Sequence, residues 1–121
     1  MPCMNEDEIE NLGYSLIQED IKRMGNKTSR EEDIEKAFLK FRGIVVECGK
    51  TSHDFITQMG DYYLYKMRHK IPEHRDKRSG YRLYYATNKE YKYFLPVFVY
   101  IRNENFPKRE ALKIIRERLD I

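Results

Sequence analysis

The sequence has no tryptophan, two cysteines and three histidines. Cys3 and Cys48 stand far apart with no second pair, so neither a disulfide framework nor a thiolate metal site is predicted. The expected setting is a reducing cytoplasm. His53, His69 and His74 have no paired carboxylates at ligand spacing, so no metal and no cofactor is expected. No apolar run approaches the roughly 20 residues of a membrane span, so no membrane partner is expected either. The opening MPCMNEDEIE lacks the basic-then-apolar pattern of a secretory signal. There is no internal repeat and no low-complexity segment.

What is present suits one domain over residues 1–121. Forty per cent of the chain is hydrophobic, enough for a modest core. Ten tyrosines supply most of the aromatic area, and tyrosine serves packing and polar contact equally. The net charge is +3, but it is divided unevenly. Residues 1–60 carry 8 Lys/Arg against 12 Asp/Glu, and residues 61–121 carry 15 against 8. A basic half of this kind suits an anionic partner.

Periodicity separates the two halves. Ile9, Leu12, Leu16, Ile17, Ile21 and Met24 recur at helical spacing, with Asn5 as cap and Gly25 as stop. This predicts a helix over about 6–24. Thr28 or Ser29 caps a second apolar stripe, Ile34, Ala37, Phe38, Phe41, Val45 and Cys48, closed by Gly49. The β-branched tail GIVVEC also suits a strand, but a helix through about 48 is preferred, giving a helical hairpin over 1–50. KTSHDFITQMGD reads as a connector with at most one helical turn. From residue 61 the period becomes two. A first strand is predicted through Tyr63, Tyr65 and Met67, and others near 80–87 and 91–102, separated by the polar loop PEHRDKRSG and the turn TNKE. Pro96 implies a bulge or an edge in the third strand. Pro107 opens a last amphipathic helix carrying Ala111, Leu112, Ile115 and Leu119. The fold class is therefore α+β: a helical hairpin on an antiparallel meander of three or four strands, closed by a C-terminal helix.

Alternation also assigns faces. Tyr63, Tyr65 and Met67, then Tyr81, Leu83 and Tyr85, then Tyr93, Leu95, Val97, Val99 and Ile101 are expected to point inward. Lys66, Arg68 and Lys70, Arg82 and Tyr84, then Phe94, Phe98, Tyr100 and Arg102 take the other face. That face is expected to be open and cationic. His69 falls on the inward side, and His74 in the loop beside the cations.

YKMRHKI, GYRLYYA and FVYIRNENFPKREALKIIRERL, in that order, resemble the RelE/ParE toxin superfamily over roughly residues 55–119, closest to its HigB-like, phage-associated branch. The resemblance implies a toxin of a type II toxin–antitoxin system, specifically a metal-independent endoribonuclease that cuts mRNA on the ribosome and stops translation. It implies a cognate antitoxin that wraps the toxin. The family's basic pair falls on Lys66 and Arg68, its GYR arginine on Arg82, and its strand-end arginine on Arg102. Where many members place a tyrosine or histidine near the last helix, this chain has Phe106 and Lys108.

Metal-free RNA cleavage needs a base for the 2′-OH, an acid for the leaving 5′-oxygen, and cations for the phosphorane. Arg82 is the first candidate clamp because its planar fork grips two phosphate oxygens, and Arg102 is the second. Lys66 and Arg68 can orient the phosphate, and Lys66 can also take the base role. Lys70 and Lys108 suit backbone contacts, and Tyr84 and Tyr100 suit base stacking. Each of these residues also has an ordinary structural role open to it: a screened surface cation, or cross-strand aromatic packing. Two other functions stay open: a non-cleaving binder of the same fold, such as a gyrase-inhibiting toxin, or an RNA-binding accessory protein.

Overall fold

The computed structural model describes residues 14–23, 34–36, 38–40, 42–47, 49, 53–69, 80–101, 104 and 106–121, with the backbone alone at 44, 47 and 69. The architecture is α+β. A four-stranded antiparallel sheet in the order β1 (Asp54–Met59), β2 (Tyr62–His69), β3 (Tyr81–Thr87), β4 (Leu95–Ile101) is followed by a helix, Lys108–Leu119. Among the described residues no helix is long and apolar enough to cross a membrane.

In the N-terminal half, a 3-10 turn at Ser15–Ile17 runs into a short helix, Gln18–Arg23. Residues 34–36, 38–40 and 42 are helical and lead into a π-helical turn, Gly43–Glu47. GIVVE is therefore helical, not a strand. The predicted start of the first helix, its Asn5 and Gly25 boundaries and the Thr28 or Ser29 cap lie outside the described residues.

β1 corrects the sequence reading, which took DFITQM for a connector. Ile56 and Thr57 are β-branched, and Gly60 supplies the left-handed φ of 59° that a two-residue hairpin loop requires. Met59 and Tyr62 then pair directly across Gly60-Asp61.

The third predicted strand is shorter than expected. It starts at Leu95 because Asn88 closes a turn, accepting the Lys92 N–H at 2.8 Å. Pro96 coincides with a register shift between Tyr84 and Tyr85, and β4 is an edge strand, so both readings of that proline hold. The bulge also reverses the predicted faces on its N-terminal side. Phe94 stacks on Tyr85 at 4.3 Å, in the core under the N-terminal helices. Tyr93, Leu95 and Val97 instead join the core under the C-terminal helix.

Both faces of the sheet are therefore covered. One carries Ile17, Ile21, Ile34, Phe38 and Val45, packed on Tyr65, Met67, Tyr81, Leu83, Tyr85, Val99 and Ile101. The other carries Ala111, Ile115 and Leu119, packed with Leu64, Tyr84, Ala86, Leu95, Val97 and Phe98. Each fully buried large side chain contributes about 1.5–3 kcal/mol of transfer free energy.

Charged side chains plug the outer edge of β4. Arg118 donates to the Val97 carbonyl at 2.9 Å, and the Val99 N–H donates to Asp20 at 3.1 Å. Arg23 donates to the Val99 carbonyl at 2.9 Å, and the Ile101 N–H donates to Glu104 at 3.0 Å. These groups stand where a fifth strand would pair. Asp20 is fully buried and takes both nitrogens of the Arg118 fork, at 2.6 and 2.7 Å, plus Arg23 at 2.9 Å. Burial pulls the Arg23 pKa down, but hydrogen bonds to Glu104 and Asp20 outweigh it and the net shift is upward. The network ties the short helix, the edge strand and the C-terminal helix to one carboxylate.

Candidate nucleic-acid interface

Two rows of residues cross the face that carries the C-terminal helix. In the first, Asp54, Lys66, Tyr84 and Phe98 are successive register partners from β1 to β4. In the second, Arg68, Arg82 and Tyr100 are partners from β2 to β4. Direct partners share a face, with Cβ atoms about 4.5–5.5 Å apart. Three predicted cations and two predicted stacking tyrosines are thus brought together.

The aromatic platform beneath them is continuous. Tyr84 and Tyr100 stack at 6.5 Å and 25°, and Phe106 meets Tyr100 at 5.6 Å and Phe98 at 5.2 Å. Lys66 Nζ lies 5.4 Å from the Tyr84 ring centroid and 5.7 Å from that of Tyr100. A cation at that height is held by the ring quadrupoles while its remaining N–H bonds stay available to an anion. Burial first, and then neighbouring Tyr100, push the Tyr84 phenol up to about 12. At neutral pH Tyr84 therefore keeps its proton and acts as a donor, not as a base.

The face is less open than the sequence suggested. The C-terminal helix packs on it, Arg82 retains only 8% exposure, and Tyr84, Tyr100 and Phe98 are buried, so the two tyrosines pack against their neighbours instead of presenting a face for a base to stack on. Arg82 donates to the Tyr81 carbonyl at 3.5 Å. It is not the solvent-facing clamp that alternation predicted, because helix and aromatics fill the space above β3. Arg68 is exposed and Lys66 half-buried, so an incoming phosphate meets these two first. Lys108 is exposed at the first turn of the helix, two residues beyond Phe106. Arg102, Lys70, His74 and the side chain of His69 lie outside the described residues.

Sequence reasoning missed Asp54. Its strand was read as a connector, so its position opposite Lys66 was invisible. MGDY places a Gly-Asp loop between Met59 and Tyr62, but counting back along the hairpin puts Phe55 at the level of Lys66; a register shift between Phe55 and Thr57 brings Asp54 there instead, and no sequence signal marks it. His53, given no context by the sequence, lies on the opposite face. Its Nδ1 is 2.8 Å from the Tyr85 hydroxyl, and burial lowers its pKa against the raising effect of Asp54. Among the described residues no group of three or more His, Cys, Asp or Glu is placed to hold a metal ion.

The arrangement offers cations over tyrosine rings beside one carboxylate, which can grip a phosphate and accept a proton. Compared with protein-family models, curated proteins and solved structures, the chain matches none of them.

Proposed function

We propose that the protein is a RelE/ParE-type toxin, a metal-independent endoribonuclease acting on mRNA in the ribosome and held inactive by a cognate antitoxin in the cytoplasm. The observation that carries this reading is the register that sets Lys66, Arg68 and Arg82 on one face with Tyr84 and Tyr100. In this reading Arg68 and Lys66 hold the scissile phosphate, and the fork of Arg82 braces it from below. The 2′-oxygen attacks phosphorus, the bond to the 5′-oxygen breaks, and a 2′,3′-cyclic phosphate results. Asp54 takes the 2′-OH proton, as the carboxylate that the register brings to this face. Phe106 offers no proton, so the departing 5′-oxygen takes one from solvent water; the ribosome supplies the in-line alignment, and the free protein cuts RNA poorly.

Induced expression tests this directly. Translated mRNA should acquire cuts ending in 2′,3′-cyclic phosphate or its opened form. Arg68→Ala and Arg82→Lys should each lower cutting by tenfold or more, the second because lysine keeps the charge but loses the fork. Thermal melts check that both variants remain folded. One observation favours a second reading, a non-cleaving binder of the same fold: Phe106 stands where an acid–base side chain is needed. Growth arrest with intact mRNA and disturbed DNA supercoiling, persisting in Arg68→Ala, would establish that reading instead.

A further inference from the structure

The C-terminal helix divides its charges between two flanks. Ala111, Ile115 and Leu119 are buried along its seam. On one flank Ile114, Glu117 and Arg118 face Glu19, Asp20 and Arg23 across the β4 edge, lining a cavity with Phe106. Arg118 there is neutralised by Asp20 at 2.6 Å. On the other flank Lys108, Arg109, Lys113 and Arg116 surround Leu112 in a shallow depression of about 550 Å³ with no acidic residue in its lining. All four cations are exposed. Among the described residues, ion pairs form at Arg23 and Arg118, and none involves these four. Glu110 and Glu117 neighbour Lys113 on the helix surface, whereas Arg109 and Lys113 form a like-charge pair at i,i+4, which costs helix stability until an anion arrives.

The start of the helix, with Lys108, adjoins the candidate interface. Arg82 pairs with Tyr100, Tyr100 meets Phe106 at 5.6 Å, and the helix begins two residues later. The cations from Lys108 to Arg116 then run roughly 12 Å further along the helix axis. The helix sequence KREALKIIRERL contains no aromatic residue, so this flank cannot stack bases. Long, flexible cations without stacking partners suit phosphates read by position, as on a duplex backbone.

We infer that Lys108, Arg109, Lys113 and Arg116 form a second RNA-contact surface that holds the sugar–phosphate backbone of a double-helical RNA, beside the single strand taken by the sheet. The inference rests on RNA being the ligand, as proposed above, but not on cleavage.

The test uses the full chain, an RNA duplex of about 16 base pairs and a single strand of about eight nucleotides, with affinities measured across a salt series. The variant carries Arg109→Gln, Lys113→Gln and Arg116→Gln together and keeps Lys108, which borders the sheet site. Glutamine keeps nearly the same helix propensity, and circular dichroism checks the fold. Duplex binding should weaken tenfold or more, and its log–log salt slope should fall by roughly 0.7–0.9 for each phosphate that is no longer neutralised. Single-strand binding should be unchanged, while Arg68→Ala should show the reverse pattern. An unchanged duplex slope, equal weakening on both probes, or no duplex binding by the parent protein would overturn the inference. So would a polyglutamate peptide that competes as well as the duplex at equal charge, which would make the surface a protein-docking site. Duplex binding that depends on Arg109, Lys113 and Arg116 in a protein that cuts no mRNA would leave this inference standing and remove only the nuclease.

Discussion

Lys66 and Tyr84 show how one register pair sets the chemistry of a surface. The ring holds the ammonium 5.4 Å above it, and burial holds the phenol proton to about 12. Burial and contact with Tyr91 push Tyr65, on the opposite face, up to about 12 as well. In the unfolded chain both phenols ionise near pH 10. Between pH 10 and 12 the unfolded state therefore binds fewer protons than the native state, and stability falls as pH rises. Denaturant midpoints should decline steeply across that window, and less steeply in Tyr84→Phe. An equal decline in the variant would mean that the Tyr84 phenol titrates normally. Asp54 gives a second outcome at this scale. Asp54→Asn should lower mRNA cutting without weakening RNA binding, read as separate turnover and affinity measurements. The cations at 66, 68 and 82 were legible in the sequence because period-two alternation survives in β2 and β3. Asp54 was not, because its partner is set by a bulge in β1 between Phe55 and Thr57 that the hairpin loop does not reveal.

Among the elements, β4 combines what the sequence showed with what it concealed. Its apolar run and the proline within it were plain, and so was the helix that follows. The consequence of the bulge was not: one extra residue moves Phe94 to one core and returns Leu95 and Val97 to the other. Nor did any local pattern reveal that the C-terminal helix packs on the cationic face, because an apolar stripe specifies burial without naming its partner. The Asp20 network was hidden for the same reason, since its members are scattered along the chain. Its strength is testable. Asp20→Ala leaves Arg118 and Arg23 facing one another beside an unpaired Val99 N–H, and should cost about 3–5 kcal/mol in chemical denaturation. The bared edge should also promote self-association, visible as concentration-dependent elution. A variant of parental stability would mean that solvent replaces the carboxylate at little cost.

The whole molecule is a sheet clasped on both faces, and its carboxylate latch joins residues 98 positions apart in sequence. That separation bears on the order of folding. The β-hairpins close over short loops and can form early, whereas bringing Asp20 to Arg118 requires most of the chain to be in place. Contacts made after the rate-limiting step leave folding rates alone and govern escape from the native state. Weakening the latch should therefore steepen the loss of native protein with time rather than slow its acquisition. In a chevron plot, the Arg118→Lys change should lift the unfolding limb and leave the refolding limb where it was. The latch is then a determinant of lifetime: it sets how long a folded molecule persists between openings.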